Sequence, residues 1–277
     1  MKLKAIATAV LLACFILNVS GQTADDHVAW GRAHLADGQL PAANASFAAA
    51  VSIEPGHPVA NTLFGITRLL VLPNRNSVKT LLDRSGVEAE GRDVLNWTAE
   101  ILRSRDGLPL IASGMNSVEF VAVLQGVVLS EIRAAQANMA NVVDPNFLLA
   151  LTAAETRTVK VTLDYGDIQL IQAGLHGLEY VIRSMSPWNL EANLSTLKAW
   201  HASGGLNVER VLRENPQLLT FATTNDWVHA RVALLGAIER YQAASSFIRN
   251  RSPLAVRLFN LADRAVQDEA RVSPGAE

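Results

Sequence analysis

Residues 24–57 read ADDHVAWGRAHLADGQLPAANASFAAAVSIEPGH, and this stretch decides the fold. The pattern predicts a helix from Asp25 to Ala36, with Asp25 and Asp26 where the positive end of the helix dipole favours carboxylates. Asp37-Gly38-Gln39 then turns the chain. A second helix starts near Pro41, where a missing N–H costs nothing, and stops before Pro55-Gly56. Gly31 and Ala43 are small enough to let two antiparallel helices cross closely, Phe47 fills the wedge below them, and Ala50 leaves room for the next helix.

With Ala24 as the first position of a 34-residue unit, Gly31, Gly38, Ala43, Phe47, Ala50 and Pro55 fall at its small, aromatic and breaker positions. The stretch resembles a tetratricopeptide (TPR) helix–turn–helix unit, which implies a fold element and a way of binding rather than a reaction. A second unit opens at Pro58, with Phe64 and Gly65 in register, and runs as a helix to about Leu72. Pro73-Asn74-Arg75-Asn76 breaks it, and a shorter helix, Ser77 to Arg84, replaces its second half. Such units need neighbours to bury their faces, so the rest of the chain is expected to cap this pair. The resemblance implies a groove lined by helix positions that include Arg32 and Leu35, then Thr62 and Ile66. The apolar second set fits burial under later helices better than an open peptide groove.

Beyond Glu88 the pattern stays helical. A helix is expected over 92–104 with Val94, Trp97, Ile101 and Leu102 on one face, followed by a loop from Asp106. Asn116 or Ser117 caps a long helix to about Asn141. Residues 147–157 read as helix, and Thr158 to Leu163 is the one convincing strand signal, read as a short bridge or the start of the next helix. A helix to about Met185 follows, then two shorter ones around Ser203-Gly204-Gly205. A long helix from Asn225 or Asp226 to about Arg249 carries Trp227, Ala230, Leu234, Ile238, Tyr241, Ser245 and Ile248 as a packing seam. A final helix to about Ala270 and a frayed tail over 272–277 complete the chain.

The first 21 residues have the form of a secretory signal: basic Met1 to Lys4, an apolar run from Ala5 to Leu17, and Val19-Ser20-Gly21 as a small-residue cleavage site. Leu11-Leu12-Ala13-Cys14 also resembles a bacterial lipobox, so a lipid anchor on Cys14, the only cysteine, is the alternative to cleavage after Gly21. After such cleavage 22 basic residues stand against 26 acidic ones, neither a nucleic-acid footprint nor a membrane-seeking charge. No later run is long and apolar enough to span a bilayer.

Asp164-Tyr165-Gly166-Asp167 is the most site-like tetrapeptide, with two carboxylates around a glycine at a strand-to-helix junction. Asp164 as N-cap with Asp167 three residues on equally describes a capping box. The tetrapeptide and Asn215-Pro216-Gln217-Leu218-Leu219 are also similar to patterns in exported bacterial TPR-bearing proteins. The six histidines form no close ligand pair, and no nucleophile elbow, phosphate loop or dinucleotide fingerprint occurs. Arg240, Arg249, Arg251, Arg257 and Arg264 form a basic streak that reads as a solvated face.

The expected architecture is all-α, with TPR-like hairpins over 22–87 packed on a larger irregular helical domain over 88–271. The expected role is that of an exported, non-enzymatic interaction or scaffold module in the cell envelope, without a cofactor, acting on a protein or peptide partner. The alternative is an exported enzyme or solute-binding protein with a carboxylate site at Asp164, Tyr165 and Asp167.

Overall fold

A computed structural model describes residues 21–105, 107–222, 225–251 and 258–259. The signal segment, Cys14 and the expected final helix and tail lie outside them. The chain is mostly helical, 62% of it, with a few short strands. Among the described residues no helix is long and apolar enough to cross a membrane.

Helix α1 (Ala24–Ala36) starts one residue earlier than the acidic pair implies, because Thr23 is its N-cap. Thr23 Oγ1 accepts the Asp26 N–H at 3.2 Å while Asp26 accepts the Thr23 N–H at 2.9 Å. Gly38 (φ +74°) closes the turn into α2 (Leu40–Ile53), a conformation that favours glycine. Ala43, Phe47 and Ala50 on α2 have no exposed surface. A Cβ on Gly31 would sit 2.4 Å from the Phe47 ring, so this glycine is required by the close crossing. Helix α3 (Pro58–Leu70) is capped by His57, whose Nδ1 accepts the Ala60 N–H while Nε2 reaches Asp25 of α1 at 3.0 Å. A 3₁₀ turn at Leu72–Asn74 leads into α4 (Asn76–Arg84).

The predicted helix over 92–104 does not form. Residues 87–111 make an arm of β1 (Arg92–Asp93), β2 (Asn96–Trp97) and the bridges Val87↔Ile101 and Arg103↔Pro109. Gly86, Gly91 and Gly107 all turn the backbone at positive φ, which interrupts the helical path that the apolar spacing suggested. The Arg92 guanidinium then ties the arm down by donating to the carbonyls of Val87 and Glu88 and pairing with Asp83.

Asn116 caps the long helix in a capping box with Glu119. This helix is α5 (Ser117–Val123), a π-helical turn (Leu124–Val128) and α6 (Leu129–Ala140). Gly65 of α3 approaches the Ala135 carbonyl within 3.3 Å of where its Cβ would be, which sets the closest approach of α3 to α6. Beside that contact runs a buried polar row. Asn61 donates to the carbonyls of Pro55 and His57 and accepts from Asn138 (2.9 Å) and Asn141 (3.1 Å). Arg68 continues the row to Asn138 and Glu131.

The second correction concerns residues 147–164. In place of a helix and an isolated strand, β3 (Leu148–Leu151) pairs antiparallel with β4 (Val161–Asp164), Leu149 opposite Leu163. Leu149 and Leu163 are buried and Leu148 is exposed, the two-residue alternation of a strand. Between them α7 (Ala153–Thr156) ends at Arg157, a non-glycine residue at φ +61°.

Helix α8 (Tyr165–Met185) packs on α6, with Gln172 donating to the Met139 carbonyl at 3.3 Å. Helices α9 (Leu194–Ala202) and α10 (Val208–Glu214) precede α11 (Asn225–Asn250), which lies against α8. One apolar core runs from Leu35 and Phe47 through α3, α6 and the two strands to Ile182 of α8. The seam of α11 is narrower than its sequence suggests. Ala230, Ala233, Ala244, Ser245 and Ile248 are buried, whereas Trp227, Leu234, Ile238 and Tyr241 remain partly exposed.

Candidate functional site

Two places test the residues singled out by sequence, and a third emerges from the structure. The first is the groove expected along the N-terminal helical hairpins. Leu35 and Thr62 are buried, and Ile66 packs against the core. Arg32 is held by Glu155, its Nε 2.6 Å from Oε1, with a further bond to the Ala150 carbonyl. The four candidate residues therefore do not form an exposed groove: α7 and the strands cover the mouth of the first hairpin, as α6 covers α3.

Glu155 sits at the centre of that cover. It completes a capping box with Thr152 and receives the Arg32 fork. Burial alone would raise its pKa, but the bonds from Arg32 and Thr152 outweigh that and hold the carboxyl below its ordinary value. A carboxyl with a depressed folded-state pKa stabilises the fold above its unfolded pKa and loses that contribution as pH falls through the folded one. Glu155→Gln is expected to cost about 1–3 kcal/mol at pH 7. Urea unfolding at pH 7 and near pH 3 should show the wild type and variant converging as the solution is acidified.

The second place is Asp164 to Asp167, where β4 runs into α8. Both carboxylates are buried. Asp164 accepts the Asp167 N–H and Asp167 the Asp164 N–H, each at 3.0 Å, a reciprocal capping box. Both also face the Arg251 guanidinium, 2.6 Å from Asp164 Oδ2 and 3.2 Å from Asp167 Oδ1. Arg251 additionally donates to the Phe259 carbonyl. Burial pushes the Asp167 pKa above its ordinary value, against the opposing pull of Arg251. Gly166 is where α11 touches α8: a Cβ there would lie 2.6 Å from the Phe247 ring.

Tyr165 meets the same Phe247 ring edge to face at 5.4 Å. It also lines an open concavity of about 450 Å³ with Ser246, Phe247, Asn250 and Arg251. Neither carboxylate lines that concavity. Arg157 is not part of the cluster; its guanidinium lies over Gly38. Chemically, two buried carboxylates share one guanidinium, and the arrangement fastens α11 onto α8. The basic streak divides accordingly: Arg240 donates to buried Gln169 at 2.8 Å, Arg251 holds the carboxylates, and Arg257 and Arg264 lie outside the described residues.

The histidines remain apart, and among the described residues no group of three His, Cys, Asp or Glu side chains is placed to hold a metal ion. His176 packs over Gly236 of α11, and desolvation pushes its pKa down.

The third place was missed by sequence. The arm over 87–111 holds Val94, Trp97, Ile101, Leu102 and Leu110 between 36% and 48% exposed. The spacing of the first four reads as one helix face, and the glycine turns at positive φ break that helix. Comparison of the chain with protein-family models, curated proteins and solved structures finds no match.

Proposed function

We propose that the protein is an exported, non-enzymatic interaction module of the cell envelope. In this reading its TPR-like N-terminal hairpins act as a structural cap and its contact surface is the arm over 87–111. The observation that carries the reading is the set of five large apolar side chains exposed along that arm. Monomeric surfaces rarely gather so much apolar area without a partner. The arm is also held in shape before binding, by its backbone bridges and by Arg92, which lowers the ordering cost of association. Trp97 is the expected anchor, since exposed tryptophans dominate interface energetics. The alternative, an exported enzyme or solute-binding protein using Asp164 and Asp167, has the concavity beside Tyr165 in its favour. It is the weaker reading because both carboxylates are turned to Arg251.

The test is capture from an envelope extract with wild-type protein and with Trp97→Ser/Leu102→Glu. Loss of the tryptophan anchor should weaken binding by at least about 2 kcal/mol, roughly 30-fold. Equal recovery of the same proteins by both forms would remove the arm from the binding surface.

A further inference from the structure

We propose that the outer face of α11, with the adjoining face of α8, is covered by a second copy of this chain packed antiparallel about a twofold axis near Leu235. This goes beyond the interaction-module reading and does not depend on it.

Among the described elements helix α11 packs mainly on α8, through the alanine-rich seam, and its Trp227 ring meets Trp188 and Phe221. On the side away from the seam Val228, Val232, Leu235 and Ile238 follow one another at four-, three- and three-residue steps. Their exposures run from 45% to 66%. This is the spacing with which a helix packs along another helix. Trp227, Leu234 and Tyr241 carry the apolar surface round to α8, where Leu178 and Val181 are half exposed. On α8 itself, Gly174 and Gly177 face open space. Glycine inside a helix costs up to about 1 kcal/mol relative to alanine, and no neighbour within the chain requires it here.

Size and charge select the occupant. The nine apolar residues expose roughly 800 Å², the area each partner contributes to a stable interface. Arg231 and Glu239 stand four residues on either side of Leu235 on this face, both exposed, and Glu239 also acts on His176 of α8 through its charge. An antiparallel twofold contact through Leu235 sets each Arg231 opposite the second copy's Glu239, twice per dimer. A parallel contact would set like charges together. A lipid surface would find no cationic excess here, because the two charges cancel.

Sedimentation velocity on the exported protein, purified from cells expressing the whole coding chain, tests the proposal. The wild type is expected to be a dimer. Arg231→Glu and Glu239→Arg should each weaken the dimer about tenfold, since each places like charges opposite one another twice. The double swap Arg231→Glu/Glu239→Arg should restore it. Leu235→Glu should give a monomer with an unchanged helical circular-dichroism spectrum. A monomeric wild type would overturn the proposal, with the C-terminal segment or a different protein as the cover. A dimer indifferent to Leu235→Glu, or folded single swaps that the double swap does not rescue, would overturn it too.

Discussion

Arg251→Ala is expected to destabilise the protein by about 3–5 kcal/mol at pH 7, because it strands two buried carboxylates without their counter-charge. The Arg251 side chain is 7% exposed and those of Asp164 and Asp167 are 3% and 0%, so water has little access to compensate. The pH dependence identifies the cause. In the wild type the Asp167 pKa is already raised above that of the unfolded chain, so its own contribution to stability declines as pH rises through that window. Without Arg251 both carboxyls should favour the protonated form more strongly. The variant should therefore recover part of its loss as pH is lowered from 7 toward 4. Urea titrations across that range read this directly, and a pH-independent deficit would mean the loss is one of packing. Arg251→Ala combined with Asp167→Asn should cost less than the two single losses added together. Because the cluster fastens α11 to α8, limited proteolysis should attack α11 first in the variant.

Phe47→Ala is the second large effect, about 3–5 kcal/mol. The ring has no exposed surface and lies where Gly31 leaves no room for even a methyl group, so a cavity at this crossing can collapse only if both helices move. The core is continuous from this hairpin to α8, and the loss should appear as a lower midpoint of a single urea transition with an unchanged slope. A separate early transition confined to the first hairpin would show instead that it unfolds on its own.

How far these features are legible in the chain differs from place to place. The first hairpin reads almost residue by residue apart from its Thr23 cap, since its turn glycine and small crossing positions act within one or two helical turns. Asp164 and Asp167 are legible as a capping box for the same reason: their partners are three residues away. Their third partner, Arg251, is 84 to 87 residues distant, and no local pattern announces it. Asn61 and Asn138 are likewise joined by folding alone, 77 residues apart. The arm and β3 are misread because apolar residues at three- and four-residue steps also satisfy other shapes once glycines at positive φ or a distant strand intervene, whereas β4 falls on the predicted strand signal. The seam of α11 is read correctly at Ala230, Ser245 and Ile248 but too wide at Trp227, Leu234, Ile238 and Tyr241, because small alanines allow a closer approach to α8 than the larger side chains beside them.

What the sequence by itself determined is therefore local: a helical chain opening on an antiparallel hairpin, with its helix caps and turns. Burial of the second half of the groove is legible in its apolar residues, but tertiary structure decided which segments close it, Glu155 over the first hairpin and α6 over α3. It also decided that the site-like carboxylates face Arg251, and that the arm and the outer face of α11 keep large apolar side chains exposed. The physical reason is range. Backbone hydrogen bonding and capping are settled among neighbours in the chain. Burial and charge pairing depend on which distant segment arrives to cover a side chain.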